Sequence, residues 1–148
     1  MAAEGTKVQA RVSRNFSVSA ERVFDAWLKT DLIGQFMFGP TVRDEEIVRL
    51  RVDARVGGSF SFVVRRQGQE IDHVGTYLEI ERPTRLAFTW AIAGEGGEPS
   101  RVIIDIAPKG SGCELTLVHK MSAEWKDFVK RSEDAWGKML SNLARILV

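Results

Sequence analysis

The feature that most constrains the fold is the end of the chain. Residues 45 to 120 read almost entirely as strands, and Met121 to Val148 then reads as one long amphipathic helix. Met121, Trp125, Phe128, Val129, Trp136, Met139, Leu140, Leu143, Ile146 and Leu147 recur at helical spacing on a single stripe. Lys126, Asp127, Lys130, Arg131, Asp134, Lys138, Ser141 and Arg145 take the other side. A helix this apolar along one face must cover something, and the only extended surface offered is the sheet before it. The space beneath the helix is then either filled or left as a pocket, and that choice decides the function.

The preceding segments support a sheet of about seven strands. Val8, Ala10 and Val12 alternate with polar residues, as a half-buried strand requires. Ser19 is placed to cap a helix in which Ala20, Val23, Phe24, Trp27 and Leu28 share a face, and Asp31 to cap a second helix that Gly39-Pro40 must end. Strands follow from Ile47, at Phe60-Phe62-Val64, from Ile71 to Glu81, at Leu86-Phe88-Trp90, at Val102-Ile104-Ile106, and at Cys113-Leu115-Leu117-His119. Gln67-Gly68 and Lys109-Gly110-Ser111-Gly112 mark hairpins, which make successive strands antiparallel neighbours. The inward parity is rich in aromatics and the outward parity mostly polar, so one face is covered and one is wet. The fold class expected is α+β, a single domain over residues 1–148, with a polar tail over residues 1–6.

Charge and cysteine content exclude several roles. With 21 basic against 20 acidic residues, interspersed and netting +1, no basic stripe marks a nucleic-acid partner. No uncharged run reaches the ~18 residues of a membrane span. One cysteine, Cys113, allows no intrachain disulfide, and two distant histidines give no metal-ligand spacing. The N-terminal residues lack a secretory pattern, so a cytoplasmic location is expected, with a monomer or weak homodimer, no cofactor and no metal.

The most specific local signal is Asp53-Ala54-Arg55-Val56-Gly57-Gly58-Ser59-Phe60, a tight turn entering a strand, with Asp53 and Arg55 placed to tie it down. To it are added Val23-Phe24-Asp25-Ala26-Trp27, the Gly39-Pro40 corner, the Gly75-to-Pro83 strand, Leu86-Ala87-Phe88-Thr89-Trp90, and Trp136 before Leu140 and Leu143. In this order and spacing, over residues 8 to 147, the chain resembles the heat-shock-protein ATPase activator-like family of the START-related, birch-pollen-allergen-like superfamily. The resemblance implies a helix-grip fold, a curved antiparallel sheet wrapped around the C-terminal helix. Its members include carriers of hydrophobic ligands, cyclase-like enzymes and co-chaperone modules. Two positions depart from the family pattern: Phe36-Met37-Phe38 stands where tryptophans are common, and Ala135 precedes Trp136 where glycine is common. Gly137 follows instead, at a cost of about 1 kcal/mol in a helix interior.

Three functions follow as expectations. The first is binding of a hydrophobic small molecule between sheet and helix, lined by Phe36, Phe38, Phe60, Phe62, Trp90, Trp136 and Met139. His119 would be its polar contact, and Phe36 to Gly39 one side of the entrance. The second is a cyclase- or hydrolase-like reaction in the same pocket using His119 or the Asp72/His73 pair, although neighbours on a strand point to opposite faces. The third is a protein-interaction module with an exposed apolar patch around Met37, Phe38, Val63 or Ile103.

Overall fold

The computed structural model describes residues 7–40, 42–96 and 98–147; the expected tail over residues 1–6 lies outside them. Seven strands form one antiparallel sheet: β1 (Val8–Phe16), β2 (Glu46–Val52), β3 (Ser59–Arg66), β4 (Gln69–Glu81), β5 (Arg85–Ile92), β6 (Ser100–Lys109) and β7 (Gly112–Met121). Their spatial order is β1-β7-β6-β5-β4-β3-β2, a meander whose last strand returns beside the first. Two short helices, α1 (Ala20–Ala26) and α2 (Thr30–Phe36), join β1 to β2, and α3 (Val129–Ile146) closes the chain after a 3-10 turn over Ala123–Phe128. The helix-grip class and the strand number agree with the sequence reading.

Local chemistry accounts for the main corners. Ser19 caps α1, its Oγ accepting from Arg22 N at 3.3 Å. The cap expected of Asp31 is not made: α2 begins two residues earlier, at Thr30 with Lys29 in the cap position, which leaves Asp31 in the first turn, where its charge suits the helix dipole. Gln67 and Gly68 both take positive φ, 52° and 77°, as a two-residue hairpin requires. At the Asp53-to-Gly58 turn, Arg55 Nε reaches both Asp53 oxygens at 3.1 and 2.9 Å. Gly57 has φ 86°, and a Cβ on Gly58 would collide with the Asp53 carbonyl. The turn is docked on β4 by reciprocal bonds of 2.9 Å between Gly57 N and Tyr77 O and between Tyr77 N and Gly58 O.

Two sequence expectations about the final helix change. Met121 ends β7, and Trp125 and Phe128, placed by periodicity on the buried stripe, are 44% and 41% exposed on the 3-10 turn. The stripe becomes buried from Trp136 onward, with Met139, Leu140, Leu143 and Leu147. The α3 helix packs against β1 and α2. Gly137 finds its reason there: the Arg14 guanidinium crosses the helix at this point, with Nη2 3.1 Å from where a Cβ would sit. Arg14 donates to Gly137 O at 3.2 Å and to Ser141 Oγ at 3.2 Å. Glu133 accepts from Arg11 N at 3.1 Å, covering part of the otherwise unpaired edge of β1.

Candidate functional site

The concave face of the sheet carries a continuous set of rings. Register places Phe62 opposite His73, Phe60 opposite Gly75, and Tyr77 opposite Phe88. Phe60 lies at the centre, 4.7 Å from Phe62, 5.5 Å from both Tyr77 and Phe88, and 5.9 Å from Trp90. It sits over Gly75, where any side chain would strike the Phe60 ring. From above, α3 lowers Trp136 to 5.4 Å from Trp90 and 6.3 Å from Trp27, and Trp27 meets Phe36 edge-on at 5.1 Å. Phe38, beyond α2, reaches Phe62 at 5.6 Å and His73 at 4.7 Å.

The fold therefore gathers Phe36, Phe38, Phe60, Phe62, Trp90, Trp136 and Met139 into one cluster, with His119 on its margin. The rings touch, so in this state they fill the chamber themselves. Trp90 alone among these rings keeps partial exposure and marks where the chamber meets solvent. Phe36, Met37, Phe38 and Gly39 are buried, so this segment belongs to the core and not to an entrance. Tyr77, Phe88 and Trp27 complete the chamber. Inward strand parity pointed to Phe88 and the α1 stripe to Trp27, while Tyr77 was not singled out, and nothing local said that the three would meet.

His119 links sheet to helix. Ser100 Oγ donates to Trp90 O at 2.9 Å and so accepts from His119 Nε2–H at 2.7 Å. The other nitrogen, Nδ1, accepts from Trp136 Nε1–H at 3.0 Å. This chain of donors selects the neutral tautomer with hydrogen on Nε2. Burial pushes the His119 pKa down to about 4, because the positive ring loses its hydration there. Both nitrogens are engaged within the protein, so His119 orients Trp136.

His73 is also buried, with Nδ1 3.1 Å from Phe62 O. Burial lowers its pKa, with the carbonyl bond opposing. Asp72 points to the opposite face, where it accepts from Ser61 Oγ at 2.7 Å, so the two do not cooperate. Cys113 is buried and its thiol pKa raised, first by that burial, which leaves it a poor nucleophile.

Two polar features were not legible in the sequence. Glu45, its side chain fully buried, accepts from Gly39 N at 2.8 Å and from Arg66 Nη2 and Nε at 2.8 and 3.1 Å, and Arg43 Nη1 lies at 3.6 Å. It fixes the segment that holds Phe38 in the chamber. Trp27 Nε1 is the second: it is fully buried and has no hydrogen-bond acceptor among the described residues. Helical spacing placed the Trp27 ring inside but could not disclose an unmatched N–H.

Residues 17–148 match the sequence family described as Activator of Hsp90 ATPase homolog 1-like protein. The chain belongs to that family. No functionally curated protein matches it. Among solved structures, this Activator of Hsp90 ATPase homolog 1-like chain is similar to protein NE0264 from Nitrosomonas europaea, with a TM-score of 0.79 and 20% identity over 95% of this chain and 94% of that one. It is also similar to the Mll3558 protein from Rhizobium loti, at 0.77 and 22% over 94% and 96%. The AHSA1-like protein from Aeromonas hydrophila scores 0.75 with 21% identity over 93% and 90%. At these identities the likeness concerns the fold. No helix among the described residues is long and apolar enough to cross a membrane.

Proposed function

We propose that this member of the Activator of Hsp90 ATPase homolog 1-like family holds an amphipathic small molecule, mostly apolar with one hydrogen-bond acceptor, in the chamber between sheet and α3. The observation that carries this reading is the buried Trp27 N–H, which has no acceptor among the described residues, next to Trp136 in an apolar cluster of touching rings that must part to admit a ligand. An unsatisfied buried donor costs about 1–3 kcal/mol, and a ligand hydroxyl or carbonyl oxygen placed there removes that cost. The surrounding rings suit an alkyl or aromatic body, and such a lining with few polar groups is typical of small-molecule sites. Access requires the partly exposed Trp90 to swing outward, while His119 keeps Trp136 in place. Binding is favoured over catalysis because His119 is bonded at both nitrogens and Asp72 faces away from His73. The lone, buried Cys113 fits a reducing, cytoplasmic setting.

Native mass spectrometry of protein purified from its own host tests this and reports the subunit number, for which a monomer or weak homodimer is expected. A bound mass in the range of a lipid-like molecule, displaced by added 1-decanol, supports the proposal. Protein that leaves the host empty and takes up no 1-decanol refutes it.

A second reading, contact with another protein, is favoured by one observation. Trp125 and Phe128 pack 5.3 Å apart while each keeps more than two fifths of its surface exposed, at 44% and 41%. The patch anticipated around Met37, Phe38 and Val63 is buried and Ile103 is half-buried, so any such contact moves to this turn. Activation of a chaperone ATPase that is lost in a Trp125→Ala/Phe128→Ala variant would support it; no activation by the native chain would remove it.

A further inference from the structure

The side of the sheet away from the chamber carries a groove of about 440 Å³, bounded by Arg49 and Arg51 on β2 and by Pro99 before β6. Its floor is built from small or hydroxylated residues of β3, β4 and β5: Ser59, Ser61, Thr76, Thr89 and Ala91. We propose that this groove binds a small oxyanion, the phosphate or carboxylate group of a polar molecule, independently of the chamber.

Charge and donors point the same way. Ser61 is buried and already matched on both sides, accepting from Arg49 Nη2 at 3.2 Å and donating to Asp72 Oδ1 at 2.7 Å. This relay offsets Arg49 against Asp72 and holds both in place. Arg51 has no hydrogen-bond or ion-pair partner among the described residues, so one guanidinium stands unbalanced at the groove. A planar fork of N–H donors is the side chain best matched to a carboxylate or phosphate.

The hydroxyls are arranged to help. The β4–β5 pairing passes from Val74 opposite Ala91 to Tyr77 opposite Phe88 without registered partners at Gly75, Thr76, Thr89 and Trp90. In that gap Thr76 N donates to Thr89 Oγ1 at 2.9 Å. The Thr89 hydroxyl is thereby used as an acceptor, and its own hydrogen remains to be donated. Ser59 and Thr76 add further hydroxyl donors with no acceptor among the described residues. The remaining Asp72 oxygen is available to a hydroxyl or amino group on the same ligand, and the volume admits a molecule larger than the anion alone.

The test uses the full chain labelled with nitrogen-15. Inorganic phosphate and, in a separate arm, acetate are titrated at constant ionic strength maintained with chloride. Saturable amide shifts centred on Ser59, Ser61, Thr76 and Thr89, with a Kd of about 1–10 mM for a lone anion, are expected. The arm that binds more tightly tells phosphate from carboxylate. Arg51→Gln should weaken binding about tenfold and Thr89→Val by a smaller factor, while Arg145→Gln on α3 leaves it unchanged. Arg51 is exposed, so its variant keeps the fold; Thr89→Val provides the second measurement. The proposal is overturned if neither anion gives saturable shifts at these amides, or if Arg51→Gln binds within twofold of the native chain.

Discussion

The Trp136 indole on α3 donates to His119 Nδ1 on β7 at 3.0 Å, a buried bond that ties the helix to the sheet at the margin of the chamber. Removing the donor while keeping an aromatic ring leaves His119 Nδ1 without a partner. Trp136→Phe should therefore cost about 2–4 kcal/mol, the unmatched acceptor adding to the lost ring volume. Urea unfolding reads this directly.

The same substitution one ring away should behave differently. Trp27 Nε1 has no acceptor among the described residues, so Trp27→Phe removes an unsatisfied donor along with the ring volume. It should destabilise by at least about 1 kcal/mol less than Trp136→Phe, measured side by side. Equal losses would show that the two indole hydrogens are not in the different situations described.

His119 gives the protein a defined acid response. Its folded pKa, about 4, lies below the ordinary histidine value of 6.5, so between these pH values the unfolded chain binds a proton that the folded chain does not. Stability is complete above about pH 6.5, falls as pH drops towards 4, and no longer depends on this group below that. The loss amounts to about 3 kcal/mol. His73, also lowered by burial, acts in the same direction. His119→Asn should shallow the slope of unfolding free energy over this window without removing it.

Gly137 and Arg14 should be coupled. Alanine in a helix interior is ordinarily about 1 kcal/mol better than glycine, yet here its Cβ meets Arg14 Nη2 at 3.1 Å. Gly137→Ala alone should give no gain, or a loss as Arg14 is displaced from Gly137 O and Ser141 Oγ. In an Arg14→Met background it should stabilise by about 1 kcal/mol. A double-mutant cycle by chemical denaturation measures the difference.

Glu45→Gln should loosen the segment that carries Phe38. The amide cannot accept the two Arg66 bonds and the Gly39 N–H as strongly as the carboxylate does. Because Arg66 is 36% and Arg43 28% exposed, solvent screens part of the loss, and about 2 kcal/mol is expected. Hydrogen exchange at Gly39 and Val42 N–H should accelerate more than at the centre of β7.

The sheet and its covered face were legible because strand alternation is local. Phe60, Phe62, Phe88, Trp90 and His119 each declared its side by parity alone. The final helix was less so: periodicity put Trp125 and Phe128 on its apolar stripe, but it does not report where the helix docks. The first turn, of 3-10 form, swings both rings outward. Glu45 with Arg66, Arg14 with Gly137, and His119 with Trp136 are separated by 21, 123 and 17 residues, so each pairing exists only once the chain has folded. The unmatched Trp27 N–H is likewise a property of three-dimensional packing, and no spacing in the chain announces it.

The central claim is that an amphipathic molecule lodges among the inner tryptophans. The direct measurement is the set of four indole N–H resonances in nitrogen-15 spectra as 1-decanol is added. The account predicts saturable shifts for Trp27, Trp90 and Trp136, the largest at Trp27, with Trp125 unmoved. Movement of Trp125 alone, or of none of the four, would contradict it.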